Sequence, residues 1–266
     1  MIIATWNING IKARIEVLLA WLAERSPDLV CLQEIKSVDE TFPREALEAK
    51  GWHVETHGQK GFNGVALISK APPVAGTLSR GLPGDDMDDH ARYIEAQYAI
   101  PSSASGQSVH VASLYLPNGN PIGTEKFDYK LGWMRRLERH AQTLLAAEHP
   151  FILAGDYNVI PQPEDVKNPA AWVGDALFQP ETRASYRRLL NLGLTDVVRA
   201  STDRAGIYSF WDYQAGAWQK NNGIRIDHLL LSPEVASRVR AAGIDSHVRG
   251  WEKPSDHVPV LVELKG

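Results

Sequence analysis

The chain has 266 residues, long enough for one sizeable core, and 44% hydrophobic with 23% charged residues, eight Trp and eight Tyr exclude a disordered, collagen-like or coiled-coil protein. A formal net charge of -4 excludes a surface that coats nucleic acid all over, although a local basic groove beside an acidic site would not show in that sum. The longest apolar run, Val17 to Ala23, falls far short of the roughly 20 residues of a bilayer helix, so no membrane segment is expected.

MIIATWNING at the start has no basic n-region and no small-residue cleavage site, so no signal peptide is expected. The single Cys31, inside LVCLQ, reads as a buried structural thiol. Both features point to a reducing cytoplasm.

Apolar stretches of strand length predict strands at Met1 to Trp6, Leu29 to Leu32, Gly64 to Ser69, Tyr93 to Ile100, Val109 to Leu116, Phe151 to Ala154, Tyr208 to Trp211, Ile226 to Ser232 and Val258 to Leu264. Among them, Ile11, Ile15, Leu18, Leu19 and Leu22 share one helical face, and Phe127, Leu131, Met134, Leu137, Leu144 and Leu145 share another. Shorter helices are predicted from Arg44 to Lys50, closed by Gly51, and through Tyr186, Leu189 and Leu190 to Gly193, with Ser232 as the N-cap of a fifth. PSSASGQS at 101–108 reads as a hairpin turn rather than a linker, and long polar loops are expected at Arg80 to Arg92, Pro117 to Thr124 and Ile160 to Asp175. The reading is a single domain over 1–266 with decorated loops.

The chemistry collects where strands stop. Asn7 follows Trp6, Glu34 follows Gln33, Asp156 and Asn158 follow Gly155, Asp227 follows Ile226, Asp256 and His257 follow Ser255, and Tyr115 closes a further run. Strand ends of a layered sheet converge on one rim, so these groups can share a cleft. Oxygen donors of this kind suit a hard cation such as Mg²⁺, with Mn²⁺ as an alternative, while the apolar setting of Cys31 and the lack of an HExxH pair disfavour zinc.

TWNINGIKA (Thr5 to Ala13), LQEIK (Leu32 to Lys36), HGQKGFNGVALIS (His57 to Ser69), GDYNV (Gly155 to Val159), FWDY (Phe210 to Tyr213), RIDHLLLS (Arg225 to Ser232) and KPSDHVPV (Lys253 to Val260) together resemble the exonuclease III family of abasic-site endonucleases. GDxN and SDHxP alone would indicate only the wider endonuclease, exonuclease and phosphatase superfamily. The resemblance implies an α/β (α+β) fold of four layers, two packed mixed β-sheets flanked by helices, like deoxyribonuclease I. It implies Asn7, Glu34 and Asp256 as metal residues, with Asp156, Asn158 and His257 as candidates for a second cation. It further implies Asp156 as the group that prepares a water, Asn158 as a supporting amide, Asp227 and His257 as a pair facing the scissile phosphate, and Tyr115 as a phosphate contact. Asn9 stands where some members carry Asp, PNGNP (Pro117 to Pro121) offers no Arg where some eukaryotic relatives place a DNA-inserting one, and Gln214 follows FWDY where some relatives place a bulky apolar wedge.

The reaction needs such groups in any fold. Phosphodiester hydrolysis builds negative charge on non-bridging oxygens, which a cation, an imidazole and an amide stabilise, and a carboxylate must take a proton from water. No Ser or Cys nucleophile accompanies the Asp–His pair, so direct water attack is expected. Lys12, Arg14, Lys36, Lys60, Asn63, Arg92, Asn118, Lys220 and Arg225 are expected DNA contacts on the rim, and Phe62, Phe210, Trp211 and Ile226 are candidate walls of a pocket for a sugar without its base. The expected activity is Mg²⁺-dependent cleavage of duplex DNA 5′ to abasic sites with trimming of blocked 3′ ends, by a monomer. A superfamily phosphatase acting on phosphoinositides or nucleotides is the rival enzyme, and a silent DNA-binding module the rival of another class.

Overall fold

The computed structural model describes residues 1–100 and 107–265. Its strands are β1 (Ile2–Asn7), β2 (Leu29–Gln33), β3 (His53–His57), β4 (Val65–Ser69), β5 (Ser79–Arg80), β6 (Tyr93–Ala99), β7 (Ser108–Tyr115), β8 (Phe151–Asp156), β9 (Thr195–Asp196), β10 (Asp227–Leu231), β11 (Val239–Ile244) and β12 (Val260–Leu264). Its α-helices are α1 (Ile11–Arg25), α2 (Arg44–Glu48), α3 (Glu125–Ala146), α4 (Pro180–Asn191), α5 (Val197–Ser201) and α6 (Pro233–Ala236). One sheet has the order β11-β12-β1-β2-β4-β3 and the other β5-β6-β7-β8-β10-β9. Both are mixed, with a central parallel pair, β1 with β2 and β7 with β8, flanked by antiparallel neighbours.

Period-two alternation along the central strands builds the layers. Ile3, Leu29, Cys31, Ile152, Ala154, Leu229 and Leu231 point between the sheets. Ala4, Trp6, Val30 and Leu32 point outward against Leu18, Trp21 and Leu22 of α1, and Leu153 and Leu230 meet Trp133 and Leu137 of α3 and Leu189 of α4. The expected four-layer sandwich is therefore present. Along the inward positions the chemistry changes toward one end: Ile3 gives way to Thr5 and Asn7, Cys31 to Gln33, Ala154 to Asp156, and Leu229 to Asp227. Thr5, Gln33 and Ser113 satisfy one another across the sheets, with Gln33 Nε2 donating to Thr5 Oγ1 and Ser113 Oγ, both at 3.0 Å. The inter-sheet layer thus runs from dry core to a polar rim.

Several expectations change. The run Tyr208 to Trp211 forms only isolated bridges, Phe210 with Ile224 and with His257. The strands β3 and β11 lie at sheet edges, and their half-exposed, mixed residues carry no apolar alternation to reveal them. The Ser232 hydroxyl accepts from Phe151 N at 3.0 Å rather than capping α6. The helix after Arg44 ends at Glu48. Most of the turn expected at 101–108 lies outside the described residues, although β6 and β7 do pair, Ala99 opposite Ser108.

Beneath the rim lies a buried ionic strut. Arg225 is fully buried and donates to Asp165 (Nε–Oδ1 2.8 Å) and Asp196 (Nη1–Oδ2 2.9 Å), while Arg199 reaches Asp165 from the other side. Removing Arg225 would leave the buried Asp196 without a cation and Asp165 with Arg199 alone, a loss of about 3–5 kcal/mol. His228 closes the strut: its Nδ1 faces Arg225 Nη1 at 2.9 Å and its Nε2 faces Val159 O at 3.0 Å. Burial, helped by the Arg225 charge, pushes His228 down to about 4.

Unfolding returns His228 to its ordinary value near 6.5, so the unfolded chain binds the extra proton between these values. This contribution is full above about 6.5 and is lost as pH falls toward 4, with about 2 kcal/mol gone by pH 5. Urea unfolding of wild type and His228→Gln between pH 7.5 and 5 checks this, and the variant should lose distinctly less stability over that interval.

Candidate active site

Strand register brings the polar ends together. Asn7 lies opposite Gln33, and Asp156 lies between Tyr115 and Asp227. Past the strand ends the backbone turns left-handed at Asn9, Glu34, Lys36 and Asn158 (φ 46°, 47°, 50° and 48°). That conformation is uncommon for residues with a Cβ and turns these side chains back into the cleft.

At the centre, Asn7 Nδ2 donates to Glu34 Oε1 at 2.8 Å and to Asp156 Oδ2 at 2.9 Å. Asn9 N donates to Asn7 Oδ1 at 3.0 Å, which fixes that amide's orientation. Asn158 N donates to Asp156 Oδ1 at 2.9 Å. His257 Nδ1 is 2.8 Å from Asp227 Oδ2, and its Nε2 is 3.8 Å from Asp156 Oδ2. The Ser255 hydroxyl accepts from His257 N and donates to Asn7 O, and the Trp6 indole donates to His257 O, so the His257 loop is sewn to the end of β1. Ser209 Oγ likewise accepts from Ile226 N and Asp227 N. Arg92 stacks on the Tyr115 ring, 4.9 Å from its centroid.

Burial sets the electrostatics. It pushes the Asp156 carboxyl up to about 7, with the Asp227 charge adding to this and His257 opposing it. Burial pulls His257 down, but the Asp227 and Asp156 carboxylates overcome it and hold the imidazole at about 10. Burial also raises Glu34, yet the Asn7 amide and the Lys36 ammonium leave it below the usual carboxylate range. The Tyr115 phenol is pushed well up by burial and by its neighbours Glu34 and Asp156, and so keeps its proton.

Glu34, Asp156 and His257 each turn a ligand atom to one place, all within 4.8 Å of one another, and could hold a metal ion. Two carboxylates suit a hard divalent cation, whereas the imidazole, kept protonated by Asp227 and Asp156, would become a ligand only on losing its Nε2 proton. The set differs from the expected one. Asn7 shows its nitrogen rather than its oxygen to the carboxylates and acts as their spacer. Asp256 stands outside the cluster with Oδ1 taken by Asn9 Nδ2 at 2.9 Å, while Asn9 Oδ1 and Glu34 Oε2 hold Lys36 Nζ at 2.5 and 2.9 Å. The Asn158 side chain is buried and tied at both ends, donating to Leu116 O at 2.9 Å and accepting from Asn118 at 3.3 Å; Asn118, itself held at Oδ1 by Asn120 N at 3.2 Å, is the exposed amide of the pair.

The expected DNA contacts divide. Lys12, Lys60, Phe62, Asn118 and Lys220 are exposed, with Phe62 at 57%, and Arg92 and Phe210 are half-buried. Arg14 is engaged by Pro254 O and the Tyr213 hydroxyl. Four residues are corrections: Arg225 is consumed by the strut, Asn63 is 3% exposed and bonded to Gln59, Trp211 is 2% exposed and packs on Tyr208 and Trp218, and Ile226 is 3% exposed beneath Phe210. Ile226 points away from Asp227, as alternation along the chain requires. A cavity of about 340 Å³ opens beside the cluster, walled by Trp172, Phe210 and Ile224 and edged by Asp212, Gln214 and Asn222. The Phe210 ring meets His257 at 4.9 Å, which joins cavity to cluster. Trp172 and Ile224 escaped the sequence reading because one sits in a long loop and the other is a lone aliphatic residue after Gly223.

The chain matches the Endonuclease/Exonuclease/phosphatase family over residues 4–257. It is 36% identical over 273 residues to a protein of Haemophilus influenzae named Exodeoxyribonuclease III, with 98% of each chain covered. Its structure is similar to that of an AP endonuclease from Archaeoglobus fulgidus (TM-score 0.91, 35% identity, 100% of both chains). It is equally similar to a 3′ phosphatase from Neisseria bound to a product DNA hairpin (TM-score 0.92, 33% identity, 100% of both chains). The sandwich, the polar rim and these likenesses agree: the chain is a phosphodiester hydrolase and belongs to the endonuclease/exonuclease/phosphatase family, in the branch of exodeoxyribonuclease III and the AP endonucleases.

Proposed function

We propose that this protein is a Mg²⁺-dependent DNA-repair nuclease that hydrolyses the phosphodiester 5′ to abasic sites in duplex DNA and trims 3′ ends, working as a monomeric single domain in the cytoplasm. The observation that carries the reading is the row Asp227–His257–Asp156, at 2.8 and 3.8 Å, set between Glu34 and the cavity walled by Phe210. The relatives' names and the Neisseria complex with a DNA hairpin support DNA as the substrate.

In this reading Glu34 and Asp156 hold the cation, which supplies positive charge to the phosphate oxygens. Asp156, near neutrality in its buried setting, accepts a proton from the attacking water. His257, kept protonated by Asp227, donates to a non-bridging oxygen where charge develops. The Tyr115 phenol and the Asn118 amide donate from the opposite side. A sugar without a base costs least to extrude, and the Phe210 cavity excludes a nucleotide that keeps its base.

EDTA is expected to abolish cleavage of an abasic duplex and Mg²⁺ or Mn²⁺ to restore it, with Glu34→Ala raising the Mg²⁺ needed for half-maximal rate. Because a proton and a cation compete for Asp156, Mn²⁺ affinity measured by calorimetry should weaken below pH 7, approaching tenfold per pH unit. Unchanged turnover in EDTA would remove the cation from the mechanism.

Asp156→Asn and His257→Ala should each lower kcat by about 10²-fold or more while DNA affinity changes little. Asp227→Asn should resemble His257→Ala, and the double variant should lose little more than either alone, since Asp227 acts through the imidazole. Additive losses would show the pair working separately.

Phe210→Ala should retain the metal response but erode the preference for abasic over intact duplex, through lost packing of about 1–3 kcal/mol against the sugar. Competition between the two duplexes measures it. A lower melting temperature with preference intact would assign Phe210 to the core alone.

A further inference from the structure

The inner face of α3 is an apolar stripe with one exception. Trp133, Met134, Leu137, Ala141 and Leu144 recur at helical spacing, and Lys130 occupies the next position of the same stripe toward the N-terminus. Lysine is almost never fully buried without a partner. Lys130 is nevertheless 0% exposed, and among the described residues no carboxylate pairs with it, whereas the buried Arg136 and Arg225 both sit on aspartates. Burial pushes its ammonium down to about 7.

Its hydrogen bonds go to main-chain carbonyls instead, Asn158 O at 2.6 Å and Asn118 O at 3.1 Å. These belong to the turns that follow β8 and β7, the two strands whose ends carry Asp156 and Tyr115. Gly119, at φ 87°, makes room for the lysine stem: a Cβ there would lie 2.5 Å from Lys130 Cδ. On the cleft side the same turns meet again, with Asn118 Nδ2 donating to Asn158 Oδ1 at 3.3 Å. The Asn118 amide thereby spends one N–H on Asn158, accepts from Asn120 N at Oδ1 (3.2 Å), and retains a second N–H.

We infer that Lys130 is a positioning residue for phosphodiester hydrolysis: by joining the Asn118 and Asn158 carbonyls from below, it fixes the free N–H of the Asn118 amide over the scissile phosphate. Lys130 touches no substrate and acts through Asn118. The inference rests on the function proposed above, and it requires only that the side-chain amine donate twice.

Steady-state cleavage of an abasic duplex, well below each variant's melting temperature, tests it with Lys130→Met, Asn118→Ala and the double variant. Lys130→Met is expected to lower kcat about tenfold or more with KM changed less than about twofold, and the double variant to be no slower than Asn118→Ala. Leu144→Ala, buried farther along the same helix, is the control: it should lower the melting temperature and keep kcat. A wild-type kcat for Lys130→Met, or losses that multiply with Asn118→Ala, would overturn the inference and make the lysine a strut. If Lys130→Met does not fold, Lys130→Ala, which also removes the donor, is measured in the same cycle against the same two outcomes. Failure of the wild type to cut the abasic duplex would instead overturn the proposed function, and the cycle would then be read on 3′-end trimming of an undamaged duplex.

Discussion

The Asn7 amide bridges the ends of the two sheets, and much of the site depends on that bridge. Glu34 follows a strand of the same sheet as Asn7, while Asp156 ends a strand of the other, and one NH₂ group donates to both carboxylates. Two carboxylates pressed together at a sheet junction would repel or take up protons. A neutral donor between them removes part of that cost, while the Lys36 ammonium on Glu34 Oε2 and the Asn158 N–H on Asp156 Oδ1 satisfy the other oxygens. The bridge forms because inward positions on both sheets turn polar at the same end.

Around this point the protein handles buried charge in three ways. Under the rim, out of the open cleft, it neutralises in place, as Arg225 does between Asp165 and Asp196. At the cleft wall it sets charges in an alternating row, Asp227, His257 and Asp156, in which the two carboxylates keep the imidazole protonated while burial raises the Asp156 carboxyl against the pull of His257. Beneath the cleft it uses an amine on carbonyls, with no opposing carboxylate in contact. The first arrangement supports the fold. The second and third leave electrostatic capacity unspent where a phosphate would sit, which is how a preorganised site differs from a stability element.

The cavity beside His257 follows from the same economy of faces. Asp227 points between the sheets, so the neighbouring Ile226 must point outward, and it joins Ile160, Val166 and Phe178 under Phe210. Ile224, one full alternation earlier, reaches the open wall. An apolar surface is thereby fixed beside a charged row by nothing more than the two-residue period of an extended chain.

The sequence by itself determined the central strands, the two long helices and the identity of the groups at the strand ends, because apolar periodicity and short polar motifs are local properties of the chain; the sandwich came only through the family resemblance those motifs carry. It was silent on β3 and β11, whose edge positions need no apolar face. Only the tertiary structure decided which polar residues face the cleft. Arg225, Trp211 and Asn63 sit inside motif blocks yet are buried as strut, core and turn, while Asp256 and Asn158 are drawn aside by Asn9, Asn118 and Leu116. A side chain's role here depends on the partners that close its remaining hydrogen bonds. Those partners lie as far as 251 residues away in the chain, at separations that no local pattern records.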